Sequence, residues 1–160
     1  MDLPKRKKMR LEGFDYSSCG AYFVTVCVSG RKPILWQVGA NCVRPNEKIP
    51  LSNTGVIIDN EIQKLSTVYE NVKVDKYCIM PNHIHIILFI LSDENGRTQF
   101  APTLSRIIKQ FKGSVTKQLG FSIWQKSFYD KIIRSDKSYL EVWQYIDENP
   151  FKWAEDEYYG

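Results

Sequence analysis

Apolar residues change period several times along this chain, and each change marks an element. The stretch AYFVTVCVS (21–29) is β-branched and aromatic with partial alternation, which predicts a first, central strand. Gly39, Asn41, Pro45, Asn46 and Pro50 punctuate the next segment, so 34–50 reads as an irregular excursion with a short hairpin around VGAN. From Ser52 the period lengthens: Ile58, Ile62, Leu65 and Tyr69 recur every three to four residues, an amphipathic helix with Ser52 or Asn53 as its N-cap. VKVDKYCIM (72–80) and HIHIILFIL (83–91) are strand-like runs on either side of Pro81 and Asn82, a turn-forming pair, and predict an antiparallel hairpin. After the polar stretch LSDENGRTQFAP, Thr103 caps a second helix with the stripe Leu104, Ile107, Ile108, Phe111, Val115 and Leu119, and Gly120 stops it. KIIR (131–134) predicts a short strand, and Ser135 caps a third helix holding Tyr139, Val142, Trp143 and Ile146 that ends at Pro150. Strand, helix, hairpin, helix, strand, helix is the order of an α+β fold with helices packed on a mainly antiparallel central sheet.

Composition narrows this picture without changing it. At 160 residues and 43% hydrophobic content the chain is expected to form one domain over 1–160, its first twelve residues a basic arm. The basic start lacks an apolar run behind it and no window is long enough to span a bilayer, so the expectation is a cytoplasmic protein with no membrane partner. Cys19, Cys27, Cys42 and Cys78 form no C-x-x-C pair and read as reduced thiols. Charge is unevenly spread. Residues 5–10 carry Lys5, Arg6, Lys7, Lys8 and Arg10, and the window from Thr103 to Lys137 holds eight basic side chains against Asp130 and Asp136. The end, DENPFKWAEDEYYG, is acidic. A basic arm and a basic central window suit a polyanion such as nucleic acid, although many basic faces are only solvated surface.

The chemistry concentrates in MPNHIHIILFI (80–90), which contains both histidines of the chain. Alternation along a strand puts His83 and His85 on one face with α-carbons about 6.5–7 Å apart, while Ile84 points into the core. Two imidazoles so placed can converge on one divalent metal ion; they can equally be polar residues at a strand end. A working site needs a third ligand and a nucleophile or activated water. The third helix offers both, since Tyr145 and Asn149 lie four apart on one face, with Glu141 a turn earlier. Tyr145 can also be read as a packing aromatic beside Trp143 and Ile146.

These pieces resemble the single-tyrosine HUH transposases, and among them the REP-associated tyrosine transposases. The resemblance rests on M-P-N followed by H-x-H on a central strand, a late YIDENP helix, YFVTVC followed shortly by an arginine, IIKQFKGSVTK on the second helix, and WQKSFYDKIIRSDKSY leading into the last. In order, they span the chain from about Arg10 to Trp153. The resemblance implies a ferredoxin-like sandwich with a catalytic C-terminal helix. It implies that His83 and His85 hold a divalent ion, Mg²⁺ or Mn²⁺, that Tyr145 is the nucleophile, and that Asn149 completes the metal site. Asn149 stands where related transposases carry Gln, so Glu148 and Glu141 are alternative third ligands. It further implies cleavage and rejoining of single-stranded DNA beside hairpins through a 5′-phosphotyrosine link, by a monomer or a homodimer that exchanges this helix. Arg106, Lys109, Lys112, Arg134 and the N-terminal arm are candidate phosphate contacts, and Trp36 or Phe128 candidate stacking aromatics. Two other functions fit the same residues: a single-strand-binding module without catalysis, and a metal-dependent hydrolase in which water is the nucleophile.

Overall fold

The computed structural model describes residues 20–40, 42–44, 47–91 and 103–156. The basic arm and the polar stretch beyond Leu91 lie outside these residues. Four strands, β1 (Gly20–Cys27), β2 (Val72–Ile79), β3 (His83–Ile90) and β4 (Tyr129–Ile133), form one sheet in the order β2-β3-β1-β4, with every neighbouring pair antiparallel. Helix α1 (Asn53–Val68) connects β1 to β2 and α2 (Leu104–Leu119) connects β3 to β4. Each crossover skips one strand position, which another strand then fills, so the two halves interlock. Helix α3 (Asp136–Glu148) comes directly after β4.

Helix starts obey local chemistry. The hydroxyls of Ser52, Thr103 and Ser135 accept from the backbone N–H groups of Gly55, Arg106 and Ser138, each satisfying a donor that a first helical turn leaves orphaned. Gly120 ends α2 in the left-handed conformation at φ 85°, which costs glycine nothing. Gly55 is required for a different reason: a Cβ there would stand 2.2 Å from the Leu35 carbonyl oxygen. That close approach lets the Ser52 hydroxyl donate to Ile34 O at 2.6 Å and so tie the start of α1 to the excursion before it.

The sheet is covered on both faces. Ile84, Ile86, Leu88 and Ile90 of β3 pack with Tyr22, Val24 and Val26 of β1 against Ile58, Ile62 and Leu65 of α1 and Ile107, Ile108, Phe111 and Val115 of α2. Each such fully buried aliphatic side chain stabilises the fold by roughly 1.5–3 kcal/mol. On the other face a smaller cluster joins Ile87 and Met80 to Val142 and Ile146 of α3 and to Trp36 and Trp153. The apolar stripe of α3 is only two residues wide, Val142 and Ile146, so this helix covers its face incompletely.

Two expectations need correction. Trp36 is 2% exposed, with its indole N–H donating to Ile79 O at 2.8 Å, so it is not a free stacking platform, whereas Phe128 is half-buried against the main core. Around VGAN, the described residues form an isolated bridge between Trp36 and Leu51 in place of a hairpin. Helix α3 does end at Pro150, its last α-helical residue being Glu148; a 3-10 segment, Asn149–Glu155, follows directly with Pro150 in its first turn, where a missing N–H is harmless. No helix among the described residues is long and apolar enough to cross a membrane.

Candidate metal centre and nucleophile

His83 and His85 sit at the first and third positions of β3, opposite Cys27 and Thr25 of β1, on the face that α3 covers. Both are buried, at 0% and 1% exposure. Their Nε2 atoms approach to 3.1 Å. What aims them together is the bond at each opposite nitrogen. His83 Nδ1–H donates to Asn82 Oδ1 at 2.7 Å, and Asn82 Nδ2 donates to the Arg31 carbonyl, which fixes which way that amide faces. Arg31 holds φ at 54°, a left-handed conformation unusual for a residue with a side chain, at the turn that presents this carbonyl. His85 Nδ1 is hydrogen-bonded to Thr25 Oγ1 at 2.7 Å. A bond at Nδ1 orients the ring and leaves Nε2 for a ligand, the usual support of a metal-binding imidazole.

Electrostatics keep these rings neutral. Burial, then the neighbouring His85 and Arg31, pushes His83 down to about 2, and burial pushes His85 down to about 3. An imidazole must be unprotonated to donate its lone pair, so both rings have the form a cation needs throughout the physiological range.

The third donor is one that sequence spacing does not point to. Asp156, just past the 3-10 segment, brings Oδ2 to 3.6 Å from His83 Nε2, with its side chain wholly buried. One ligand atom from each of His83, His85 and Asp156 lies within 4.8 Å of the others, a grouping that can hold a metal ion. With neutral imidazoles the three are a donor set rather than an ion pair. Asn149 is buried, lines the same cleft of about 410 Å³ as Tyr145 and Asp156, and its Nδ2 makes no hydrogen bond. Amide oxygen and nitrogen are interchangeable by a flip, so this orphaned atom marks a position from which Asn149 Oδ1 can serve a cation. Two imidazoles with a carboxylate suit Mn²⁺ or another first-row ion better than Mg²⁺, which prefers an all-oxygen shell. The residues present therefore fit a divalent cation. Of the alternative ligands, Glu148 is engaged by Gln144 and Lys152, which hold its carboxyl below the usual range, and Glu141 lies on the other side of Tyr145.

Tyr145 stands where the two openings meet. Its ring centroid is 5.3 Å from that of His85 and 6.1 Å from that of Phe23, and the residue is 41% exposed. On one side lies the cleft shared with Asn149 and Asp156; on the other a cleft of about 460 Å³ has Phe23, Thr25 and His85 as its floor and Tyr129 and Lys131 of edge strand β4 as its far wall.

The candidate phosphate contacts are elsewhere. Arg106 and Lys109 are exposed on α2, the helix behind the sheet, and Arg134 is exposed just past β4. Lys112 is half-buried and donates to the carbonyls of Gln125 and Ser127 at 2.7 and 3.3 Å. Lys109, Lys112 and Lys126 line a separate cleft of about 450 Å³ with Phe128.

No family model matches the chain. An uncharacterized protein of Haemophilus influenzae is 29% identical over 96% of this chain and 93% of its own length. A second protein of that organism, described as a "Putative REP-associated tyrosine transposase", is 31% identical over 47% of each chain. Among solved structures, a REP-associated tyrosine transposase bound to a REP hairpin superposes with a TM-score of 0.63 at 22% identity, covering 89% of this chain and 74% of that one. The crystal structure of a transposase from Deinococcus radiodurans, described as "putative", gives 0.50 at 13% identity over 87% and 95%. A protein described as a REP-associated tyrosine transposase thus resembles about half of this chain in sequence, and a solved one resembles most of it in fold.

Proposed function

We propose that this chain is a DNA transposase of the single-tyrosine kind, which breaks and rejoins single-stranded DNA through Tyr145. The observation that carries this reading is the half-exposed Tyr145 ring 5.3 Å from His85, whose Nε2 is aimed at that of His83 with Asp156 alongside. The similarity to a transposase solved with a REP hairpin supports single-stranded DNA next to a hairpin as the substrate.

In this mechanism Tyr145 Oη attacks the scissile phosphorus in line with the departing 3′ oxygen. The new bond is phenolic oxygen to phosphorus, and the phosphorus to 3′-oxygen bond breaks. The phenol proton leaves to solvent, and the 3′ oxygen takes one from water. The product is a 5′-phosphotyrosine and a free 3′-OH; a second 3′-OH attacking that link reverses the step, so strand transfer needs no nucleotide cofactor. His83, His85 and Asp156, with Asn149 beside them, would hold the divalent ion, whose chemistry when bound is to withdraw charge from the scissile phosphate. Asn82 and Thr25 keep both imidazoles turned toward it. The cleft between β4 and α3, with Lys131 on its wall, admits an unpaired strand to Tyr145. Because Tyr145 stands beside the histidines of its own chain, we read the site as complete within one subunit.

The test is incubation with end-labelled, hairpin-flanked single-stranded DNA and Mn²⁺, resolved on a denaturing gel. A covalent adduct formed by the wild type and lost in Tyr145→Phe and His83→Ala is the expected result. Cleaved DNA with no protein attached would favour water as the nucleophile, and binding without cleavage would favour a non-catalytic module.

A further inference from the structure

The register between β2 and β3 slips at one place. Val74 pairs with Leu88 and Lys76 with Ile87, which leaves Asp75 as an extra, unpaired residue. A bulge of this kind re-aims side chains, and here two consecutive residues turn to α3. The Asp75 carboxylate accepts a hydrogen bond from the Tyr139 hydroxyl. Lys76 Nζ donates to Asp147 Oδ1 at 2.8 Å and sits 4.2 Å from the centre of the Trp143 ring.

Tyr139, Trp143 and Asp147 are spaced i, i+4, i+8 and form a single stripe along α3. Val142 and Ile146 form the buried ridge beside it, and Tyr145 lies on the far side of that ridge, roughly 160° around the axis from Trp143. A ridge of two aliphatic residues resists lifting of the helix more than it resists rolling. Rolling is what moves Tyr145: a turn of about 20° displaces a side-chain tip ~6 Å from the axis by roughly 2 Å. A reacting group misplaced by about 1 Å can lose on the order of 100-fold in rate.

We propose that the β2 bulge is a rotational latch on α3, and that Asp75 and Lys76, through Tyr139, Trp143 and Asp147, are positioning residues that set the distance between Tyr145 and His85. The inference deepens the transposase reading and rests on it for its consequence in rate. None of these residues touches the clefts beside Tyr145, so the latch acts on chemistry and leaves DNA binding alone.

The test compares the wild type, Tyr139→Phe with Lys76→Met, and Asp75→Asn, which keeps an acceptor for the Tyr139 hydroxyl. Three quantities are read: the rate of adduct formation at saturating hairpin DNA, the affinity for that DNA, and the through-space NMR cross-peak between the Tyr145 and His85 rings. In the double variant the saturated rate is expected to fall about 10- to 100-fold, with affinity within about twofold of wild type and the cross-peak weakened. Asp75→Asn should stay within about threefold of wild type in rate. A double variant with wild-type rate and cross-peak overturns the latch, as does a loss of rate explained by an equal loss of affinity. A wild-type chain that forms no adduct overturns the functional reading instead, and the cross-peak then decides the latch by itself.

Discussion

Neighbouring residues of β3 belong to two different regimes. Ile84, Ile86, Leu88 and Ile90 face α1 and α2 in a dry layer closed by two 16-residue helices, whereas His83, His85 and Ile87 face a layer in which α3 buries only two side chains and leaves clefts on either side of Tyr145. The first face has nothing to offer a ligand. The second carries buried donors, a half-exposed phenol and an edge strand. The contrast teaches that the free energy of the fold comes chiefly from one side of the sheet, and that this surplus is what lets the other side keep neutral imidazoles and a carboxylate buried next to one another.

Substituting one residue on each face should separate these regimes. Ile86→Ala is expected to lower stability by about 2–5 kcal/mol in chemical denaturation, because the dry layer cannot collapse around the lost atoms, while the folded fraction still takes up Mn²⁺ and forms adduct. His85→Ala, one residue away, should abolish adduct formation and Mn²⁺ uptake by calorimetry with a smaller loss of stability. Equal losses of stability in the two variants would break the contrast.

Acid should act through the second face. His83 and His85 are held at about 2 and about 3 by burial, against about 6.5 in an unfolded chain. Above about pH 6.5 neither state binds these protons and the pair has no effect on the pH dependence. As pH falls below that value the unfolded chain takes up protons that the folded chain refuses, so stability drops, continuing until the folded values are reached, about 3 for His85 and about 2 for His83. The slope is about 1.4 kcal/mol per pH unit for each histidine. His85→Ala should therefore lose stability less steeply than wild type between pH 6 and pH 4 in metal-free buffer, and parallel curves would show that the imidazole is not held neutral.

The elements with a clear period were legible from the sequence. All three helix caps, the hairpin turning at Pro81 and Asn82, and the central position of β1 are local or nearly local properties, and they occur as read. H-x-H on a strand forecast the convergence of the imidazoles because alternation alone puts both on one face. What escaped depends on long-range return of the chain. Asp156 sits in the acidic end of the chain; only the 3-10 segment that follows α3, anchored by buried Trp153, brings it beside His83. Thr25 reads as an ordinary strand former until β1 is paired with β3 and sets it opposite His85. Trp36 reads as exposed because its surroundings are irregular, yet its indole is held by the carbonyl of Ile79 on another element.

The smallest expected effect probes whether the folding face is wholly inert. Its outer rim is basic, and Lys109 and Lys112 on α2, one turn apart, are not equivalent. Lys109 is exposed, so its ammonium is available to a phosphate; Lys112 spends two of three N–H groups on the Gln125 and Ser127 carbonyls, and burial lowers its affinity for a proton. If DNA passes over this rim, Lys109→Met should weaken binding of single-stranded DNA a few-fold and reduce the slope of log affinity against log salt by about 0.7, the release of one counterion, with unchanged stability. Lys112→Met removes the same charge but also leaves two carbonyls short of a donor, so it should cost about 1–3 kcal/mol of stability and change the salt slope less. Fluorescence anisotropy across a salt series measures the slopes and denaturation measures the stabilities. Identical salt slopes in both variants and wild type would confine DNA to the face of the histidines, and the division between the two sides of the sheet would then be complete.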